Sequence, residues 1–390
     1  MDNFTFKLPT RFVFGKGTET EAGRLVAHYG GTKVLVLFGG GSVVRSGLLK
    51  RVCDSLDRAL LDYVELGGVK PNPRASLVYE GISLVADEKI DFILAVGGAS
   101  VIDTAKAIAA GACYRGDFWD FYEGDRAPDE ALPIGCVLTI AASGSEASPD
   151  SVITQDKTML KRETSADVLL PTFSILNPEL TETLPAYQTA AGIVDMYSHL
   201  LERYLTNTCD VEVTDRMIEG LMLAIIVESA KVMANLGDYE ARANIMWAAT
   251  LAHNNMAGVG RSQDWASHEI EYALSSRYGV AHGAGLAAVM PAVMLETLEH
   301  DVPRFARLAR NVWDVDVEDD CSAALAGIEA QRAWCARMGM PTTLGEIGGS
   351  EDDIPALAHE TCWSGGRTGR VGGFCPLDED GVTRVFKRML

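Results

Sequence analysis

Residues 91–112 read DFILAVGGASVIDTAKAIAAGA, and the order of residue types there decides the fold. A strand-like apolar run, Phe92–Val96, meets Gly97 and Gly98. From near Ser100 the apolar residues recur at helical spacing. A buried strand, a glycine turn and a helix in that order make half of a βαβ unit. Upstream, residues 32–56 (TKVLVLFGGGSVVRSGLLKRVCDSL) repeat the grammar. Downstream, residues 132–152 (LPIGCVLTIAASGSEASPDSV) read the same way: strand, small residues, helical pattern. Three such segments predict a parallel sheet with helices on its faces. Ligands of such sheets bind beyond the carboxyl ends of the strands, where all three turns fall.

The second half is patterned differently. Long helical periodicities run through residues 186–205, 214–236, 241–258, 265–278 and 285–300, and β-branched runs are nearly absent. Residues 169–185 (LLPTFSILNPELTETLP) carry three prolines and read as the connection. A length of 390 residues also favours two domains. The expectation is an α/β domain at 1–180 and an all-helical domain at 181–390. Glycine-rich residues 363–374 read as a loop able to cover a cleft.

A net charge of -20 disfavours nucleic acid and anionic membrane surfaces as partners. No uncharged apolar run reaches the ~18 residues of a membrane span. The start, MDNFTFKLPTRFVFG, lacks the basic and apolar regions of a signal peptide, which points to the cytoplasm. The eight cysteines are scattered without a C-x-x-C pair, so reduced packing cysteines are expected.

One carboxylate and three imidazoles stand out: Asp195 and His199 in GIVDMYSHLLE, His268 in SQDWASHEIEYALSS, and His282 in YGVAHGAGL. Asp195 and His199 lie four apart, on one face of a helix, one turn from each other. His268 and His282 must come from two further elements. If the four converge they form a site for one divalent metal; such donors suit Fe(II), Zn(II), Mn(II) or Co(II). Four protein ligands plus substrate need five- or six-coordination, which Fe(II) accepts easily, and Zn(II) stays open. Of the other histidines, His28, His300 and His359 read as exposed or paired, and His253 as a cleft residue at most.

The turns lack the G-x-G-x-x-G fingerprint, yet the physics of phosphate binding still applies. Gly97 and Gly98 admit a pyrophosphate, and the helix that follows offers free N–H groups and its positive dipole end. Ser100 and Asp103, three apart, also fit a plain helix cap. After the 32–38 strand, Gly39, Gly40, Gly41 and Ser42 stand where an acidic residue would bind a ribose diol. Its absence leaves room for a 2′-phosphate and favours NADP(H) over NAD(H). Nearby Arg45 is either a surface helix residue or a source of positive charge at the same place.

Taken in order, FGGGSV, VELGGVKPNP, LAVGGASVIDTAK, GCVLTIAASGSEAS, AAGIVDMYSHLLERYL, YEARANIMWAAT, GRSQDWASH and AHGAGLA span nearly the whole chain. In these segments the chain resembles the group III, iron-dependent alcohol dehydrogenase family, and most of all its NADPH-dependent butanol dehydrogenase and aldehyde reductase branch. The resemblance implies a dehydroquinate synthase-like architecture, with an α/β dinucleotide-binding domain, an all-helical C-terminal domain and a metal in the cleft. It implies metal binding by Asp195, His199, His268 and His282. Cofactor contacts are implied at Gly39, Gly40, Gly41, Ser42, Asn72, Gly97, Gly98, Ser100, Asp103, Thr139, Ser143, Ser145, Ser148 and Lys161. It also implies a small aldehyde or alcohol as substrate, and a homodimer.

The chain departs from the family pattern at Tyr272, where many members carry a histidine able to relay protons. A tyrosine hydroxyl titrates near 10 and is a poor relay near neutrality, so Tyr272 is either a relay or a packing residue. Arg261, Arg367 and Arg370 are either cleft-mouth cations or surface charge. Three other readings stay open: a glycerol or polyol dehydrogenase, a dehydroquinate-synthase-like lyase, and a non-catalytic metal- or nucleotide-binding protein.

Overall fold

The computed structural model describes residues 1–363 and 367–390, so part of the 363–374 stretch lies outside the described residues. The backbone divides into two compact units, Lys7–Thr183 and Leu184–Leu390 with Met1–Phe6. The first six residues therefore go with the helices rather than with the α/β unit expected at 1–180. The Asp2 N–H donates to Gly260 O, and the Thr208 hydroxyl donates to the Asp2 carboxylate.

The α/β unit holds eight strands: β1 (Arg11–Phe14), β2 (Lys33–Phe38), β3 (Asp62–Leu66), β4 (Phe92–Gly97), β5 (Ile134–Leu138), β6 (Asp150–Thr154), β7 (Lys161–Ser165) and β8 (Phe173–Leu176). Six form one parallel sheet in the order β1-β8-β5-β4-β2-β3, and β6 and β7 pair as an antiparallel hairpin. Every residue of β4 is buried. Helices cover both faces of a parallel sheet, which is why its strands read as continuous apolar runs. From β2 the chain steps to β3 on one side, then returns to β4 on the other. The carboxyl ends of β2 and β4 thus form the topological switch point, where such sheets bind ligands. Gly39 and Gly98 follow those two strand ends directly.

Two local expectations fail. The proline-rich connection contains β8, an inner strand between β1 and β5. Pro171 and Pro178 lie just outside it, where no ladder hydrogen bond is lost. After β5 there is no α-helix but a 3-10 turn, Ser145–Ala147, leading into the hairpin.

In the helical unit the helix Ala186–Tyr204 is buried from Thr189 onward, so it forms the centre that the others surround. Three neighbours matter for the site: Tyr239–His253, Ala266–Tyr278 and His282–Thr297. The His282–Thr297 helix packs so closely on the central one that a Cβ at Gly283 would lie 1.9 Å from the carbonyl oxygen of Ala191. Only glycine permits that backbone contact. No described helix is long and apolar enough to cross a membrane.

Candidate metal centre and cofactor turns

Three imidazoles converge on one carboxylate oxygen. Nε2 of His199, His268 and His282 lies 3.9, 4.0 and 3.8 Å from Asp195 Oδ1. Asp195 and His199 come from one face of the central helix. His268 sits in the first turn of the Ala266–Tyr278 helix, and His282 is the first residue of its own. Two ligands of one ion, each about 2.0–2.2 Å from it, can be at most about 4.4 Å apart. The three distances to Asp195 fall inside that limit. Among the described residues, Asp195, His268 and His282 bring one ligand atom each within 4.8 Å of one another; His199 reaches Asp195 but falls outside that mutual group. Nε2 of His268 is buried without a hydrogen-bond partner among the described residues. An orphaned buried nitrogen is costly unless something occupies its lone pair, so the residues fit a bound cation.

The outer shell supports the same assignment. His268 Nδ1 is hydrogen-bonded to Glu202, and His282 Nδ1 to Glu271; both carboxylates are fully buried. A carboxylate on Nδ1 fixes the tautomer and aims the Nε2 lone pair at the ion. Glu202 also accepts from the Ser267 and His268 N–H groups, at 2.6 and 3.3 Å. Burial and the neighbouring His253 and His268 hold His199 well below the usual imidazole range, so it is neutral and able to ligate. Burial opposes charge on His268 too, but the Glu202 carboxylate outweighs it and the net direction is upward.

Tyr272 stacks on His282 with ring centroids 5.9 Å apart, and the Arg367 guanidinium lies 5.9 Å from the Tyr272 ring. Arg261 is neither surface charge nor a cleft-mouth cation. It is buried, donating to Asp215, Thr214 and the carbonyls of Arg203 and Val211. Arg370 is exposed.

The cofactor positions lie in the α/β unit. The helix after β4 spans Ala99–Cys113 with Gly98 as its N-cap, and no side chain caps it. Ser100 is inside the first turn, so the Ser100–Asp103 pair is not a capping box. Gly97 packs tightly: a Cβ there would meet Val101 at 2.4 Å. The Thr139 N–H donates to Gly97 O, tying the exits of β4 and β5 together. Asn72 has φ of 53°, a left-handed conformation that asparagine tolerates. Gly40, Gly41 and Ser42 are exposed, Gly39 and Ser143 half-buried, and Lys161 opens β7.

Asp103, Ser145 and Ser148 are drawn inward around Lys106. The fully buried ammonium donates to the carbonyls of Ser145, Ser148 and Asp150 at 2.8, 2.9 and 2.7 Å, and reaches Ser145 Oγ at 2.9 Å. Ser145 Oγ in turn donates to Asp103 at 2.6 Å. Burial pushes the Asp103 carboxyl up to about 6, against the pull of Lys106. These side chains shape the turn from beneath.

Residues 9–178 match the family model of the iron-containing alcohol dehydrogenases, and residues 189–390 match the C-terminal model of the Fe-containing alcohol dehydrogenase family. The chain belongs to the iron-containing alcohol dehydrogenase family. As a member it is an oxidoreductase acting between alcohols and aldehydes. It is 40% identical over the full length of both chains to the probable NADH-dependent butanol dehydrogenase 2 of Bacillus subtilis. It is 38% identical to the NADPH-dependent aldehyde reductase YqhD of Escherichia coli, with 92% of each chain covered. The solved NADH-dependent butanol dehydrogenase A of Thermotoga maritima superposes with a TM-score of 0.96 at 39% identity, over 100% of this chain and 99% of that one.

Sequence reading missed three residues of this iron-containing dehydrogenase: Glu202, Glu271 and Lys106. A signal existed for the first two, because His199 and His268 are each followed three residues later by glutamate. Lys106 carries no such mark; only the fold shows that it is buried.

Proposed function

We propose that this chain reduces small aldehydes to primary alcohols, and runs the reverse, using NADP(H) in preference to NAD(H) and one divalent metal, Fe(II), held by Asp195, His199, His268 and His282. The observation that carries the reading is the convergence of three imidazole Nε2 atoms, 3.8–4.0 Å from one Asp195 oxygen. When bound, the metal supplies Lewis-acid polarisation of a carbonyl or alcohol oxygen. Glu202 and Glu271 keep His268 and His282 in the ligating tautomer. The switch-point turns hold the dinucleotide. The uncapped N–H groups of the Ala99–Cys113 helix bind pyrophosphate, and Gly97 and Gly98 let it approach.

The residues after β2 support NADP(H). No carboxylate stands at 39–42, and the Arg45 guanidinium lies against Gly41, where a Cβ would meet it at 2.5 Å. Cation and space together suit a 2′-phosphate. The named relatives weigh the other way: the butanol dehydrogenases of Bacillus subtilis and Clostridium acetobutylicum, 36–40% identical over the full chain, are named NADH-dependent, and YqhD, 38% identical over 92%, is named NADPH-dependent. The butanol and aldehyde names of those relatives favour primary alcohols over polyols.

Tyr272 is the residue assigned to the proton. Its ring rests on His282, which places the phenol beside the proposed metal centre. A cytoplasmic homodimer, as the family resemblance implies, completes the proposal.

The test is loss of reduced-nicotinamide absorbance with butyraldehyde, comparing chelator-stripped protein with protein reloaded with Fe(II) or Zn(II). Activity should vanish on stripping, return with metal, and be faster with NADPH than with NADH. Full activity in stripped protein would overturn the metal assignment; equal or faster turnover with NADH would overturn the cofactor preference.

A further inference from the structure

The carboxylates behind the metal ligands follow a hand-off rule. Glu202, on the Ala186–Tyr204 helix, supports His268 on the Ala266–Tyr278 helix. Glu271, on that helix, supports His282 on the next. Each ligand takes its orienting carboxylate from the ligand helix before it in the chain. His199 is on the first ligand helix and has no predecessor. Its buried Nδ1 has no hydrogen-bond partner among the described residues.

Something else must fix the His199 ring, because an imidazole that can rotate about its terminal torsion presents its lone pair badly. The ring nearest to it is His253, at the end of the Tyr239–His253 helix, with centroids 4.2 Å apart and planes at 41°. His253 is itself anchored. Arg203 Nη2 donates to His253 Nδ1 at 3.2 Å, and because arginine only donates, the His253 proton sits on Nε2. Arg203 Nη1 meanwhile donates to the His199 carbonyl at 3.0 Å. The guanidinium lies 4.7 Å from the Trp265 ring centroid. Trp265 has φ of 73°, a rare conformation for a bulky residue, and N-caps the helix that carries His268. Strain of this kind persists only where the surroundings enforce it.

We infer that His253, locked by Arg203, is the positioning residue for the ligand His199, replacing by ring contact the carboxylate that the other two histidine ligands receive. It is not itself a ligand. The inference rests on the metal-site reading above. It makes His199 the one histidine ligand whose geometry depends on packing rather than on a charged hydrogen bond. The same helix then serves two ligands: Glu202 holds His268, and the adjacent Arg203, through His253, holds His199.

The test is Co(II) binding to the metal-free full-length chain. Affinity is measured against a competing chelator, and the visible d–d bands report coordination geometry. Wild type, His253→Ala, His253→Phe and Glu202→Ala are compared, with the thermal midpoint of each metal-free protein as the folding control. Loss of an outer-shell partner typically costs 10–100-fold in metal affinity. His253→Ala should weaken Co(II) binding by about tenfold or more and alter its d–d bands at an unchanged metal-free midpoint. His253→Phe, which keeps a ring against His199, should recover most of both. Wild-type affinity and spectrum in His253→Ala would overturn the inference, as would equal losses in the Ala and Phe proteins. If His253→Ala does not fold, His253→Phe decides on its own, since a wild-type spectrum is expected and an altered one overturns the ring-contact role. Failure of the wild type itself to bind Co(II) would instead sink the metal site, which keeps the two failures apart.

Discussion

The helical unit and the α/β unit prepare their sites by opposite means. In the helical unit the proposed binding groups are side chains. Asp195, His199, His268 and His282 project from three helices; Glu202 and Glu271 are bonded to two of the histidines, and the His253 ring lies against the third. In the α/β unit the proposed binding surface is backbone left open by the lack of side chains at Gly39–Gly41 and Gly98, with the buried Gly97 packed against Val101 behind it. There the charged groups, Lys106 and Asp103, sit underneath as supports. A metal needs a few strong donors at fixed distances, whereas a dinucleotide phosphate needs many weak N–H donors and room. The two regions should therefore fail differently when broken.

The largest effect is expected at a ligand. His268→Ala removes one of the four converging donors and leaves Glu202 buried without its imidazole. Metal retention should be lost and turnover should fall on the order of 10³-fold or more, the scale of a Lewis acid that contributes several kcal/mol. Dinucleotide binding, measured by quenching of protein fluorescence, should stay near wild type. Loss of both together would show that the two regions are not separable in this way.

That separation also governs how much of the site was legible. The Asp195–His199 spacing is visible in sequence because one helix turn imposes it. The partnership with His268 and His282 is not a spacing at all, and only the resemblance joined them before the fold did. The glutamates were marked by H-x-x-E, yet each serves a histidine on another helix, so local pattern would have paired them wrongly. In the α/β unit the turns were legible through glycine, while β8 was hidden. Four residues between two prolines look like a linker unless it is known that those prolines stand outside the ladder. The buried ring of groups around Lys106 was invisible for a similar reason, because a lysine in a helical pattern reads as surface until the fold covers it.

A smaller effect should arise where helix backbone, rather than a side chain, sets the metal site. Gly283 follows the ligand His282 directly, and a Cβ there would lie 1.9 Å from the Ala191 carbonyl, four residues before Asp195. Backbone cannot give way as a side-chain tip can, so Gly283→Ala must push the two ligand helices apart. Overpacking of this kind costs about 1–3 kcal/mol. The metal-free protein should melt several degrees lower, and metal affinity should fall as His282 moves away from Asp195. A lowered midpoint with unchanged affinity would show that the helices adjust without moving the ligand atoms.

The smallest effect, and the one that most sharpens the contrast, is expected from Gly39→Asp in the α/β unit. Gly39 directly follows β2 at the switch point, and no backbone contact crowds it: a Cβ would lie 3.4 Å from Val69 O and 3.6 Å from the Val101 side chain. The substitution should fold and should leave the metal centre untouched. What changes is electrostatic. A carboxylate at this place repels a 2′-phosphate and can accept hydrogen bonds from ribose hydroxyls. Against a phosphate a few ångströms away in a partly exposed turn, a repulsion of about 1–2 kcal/mol is reasonable at low salt. The kcat/KM for NADPH should drop roughly tenfold, following 1.4 kcal/mol per decade, while that for NADH holds or rises, and the change should shrink as salt is added. A parallel fall for both cofactors would mean that Gly39 is needed for close approach of the backbone, and that cofactor choice is made elsewhere.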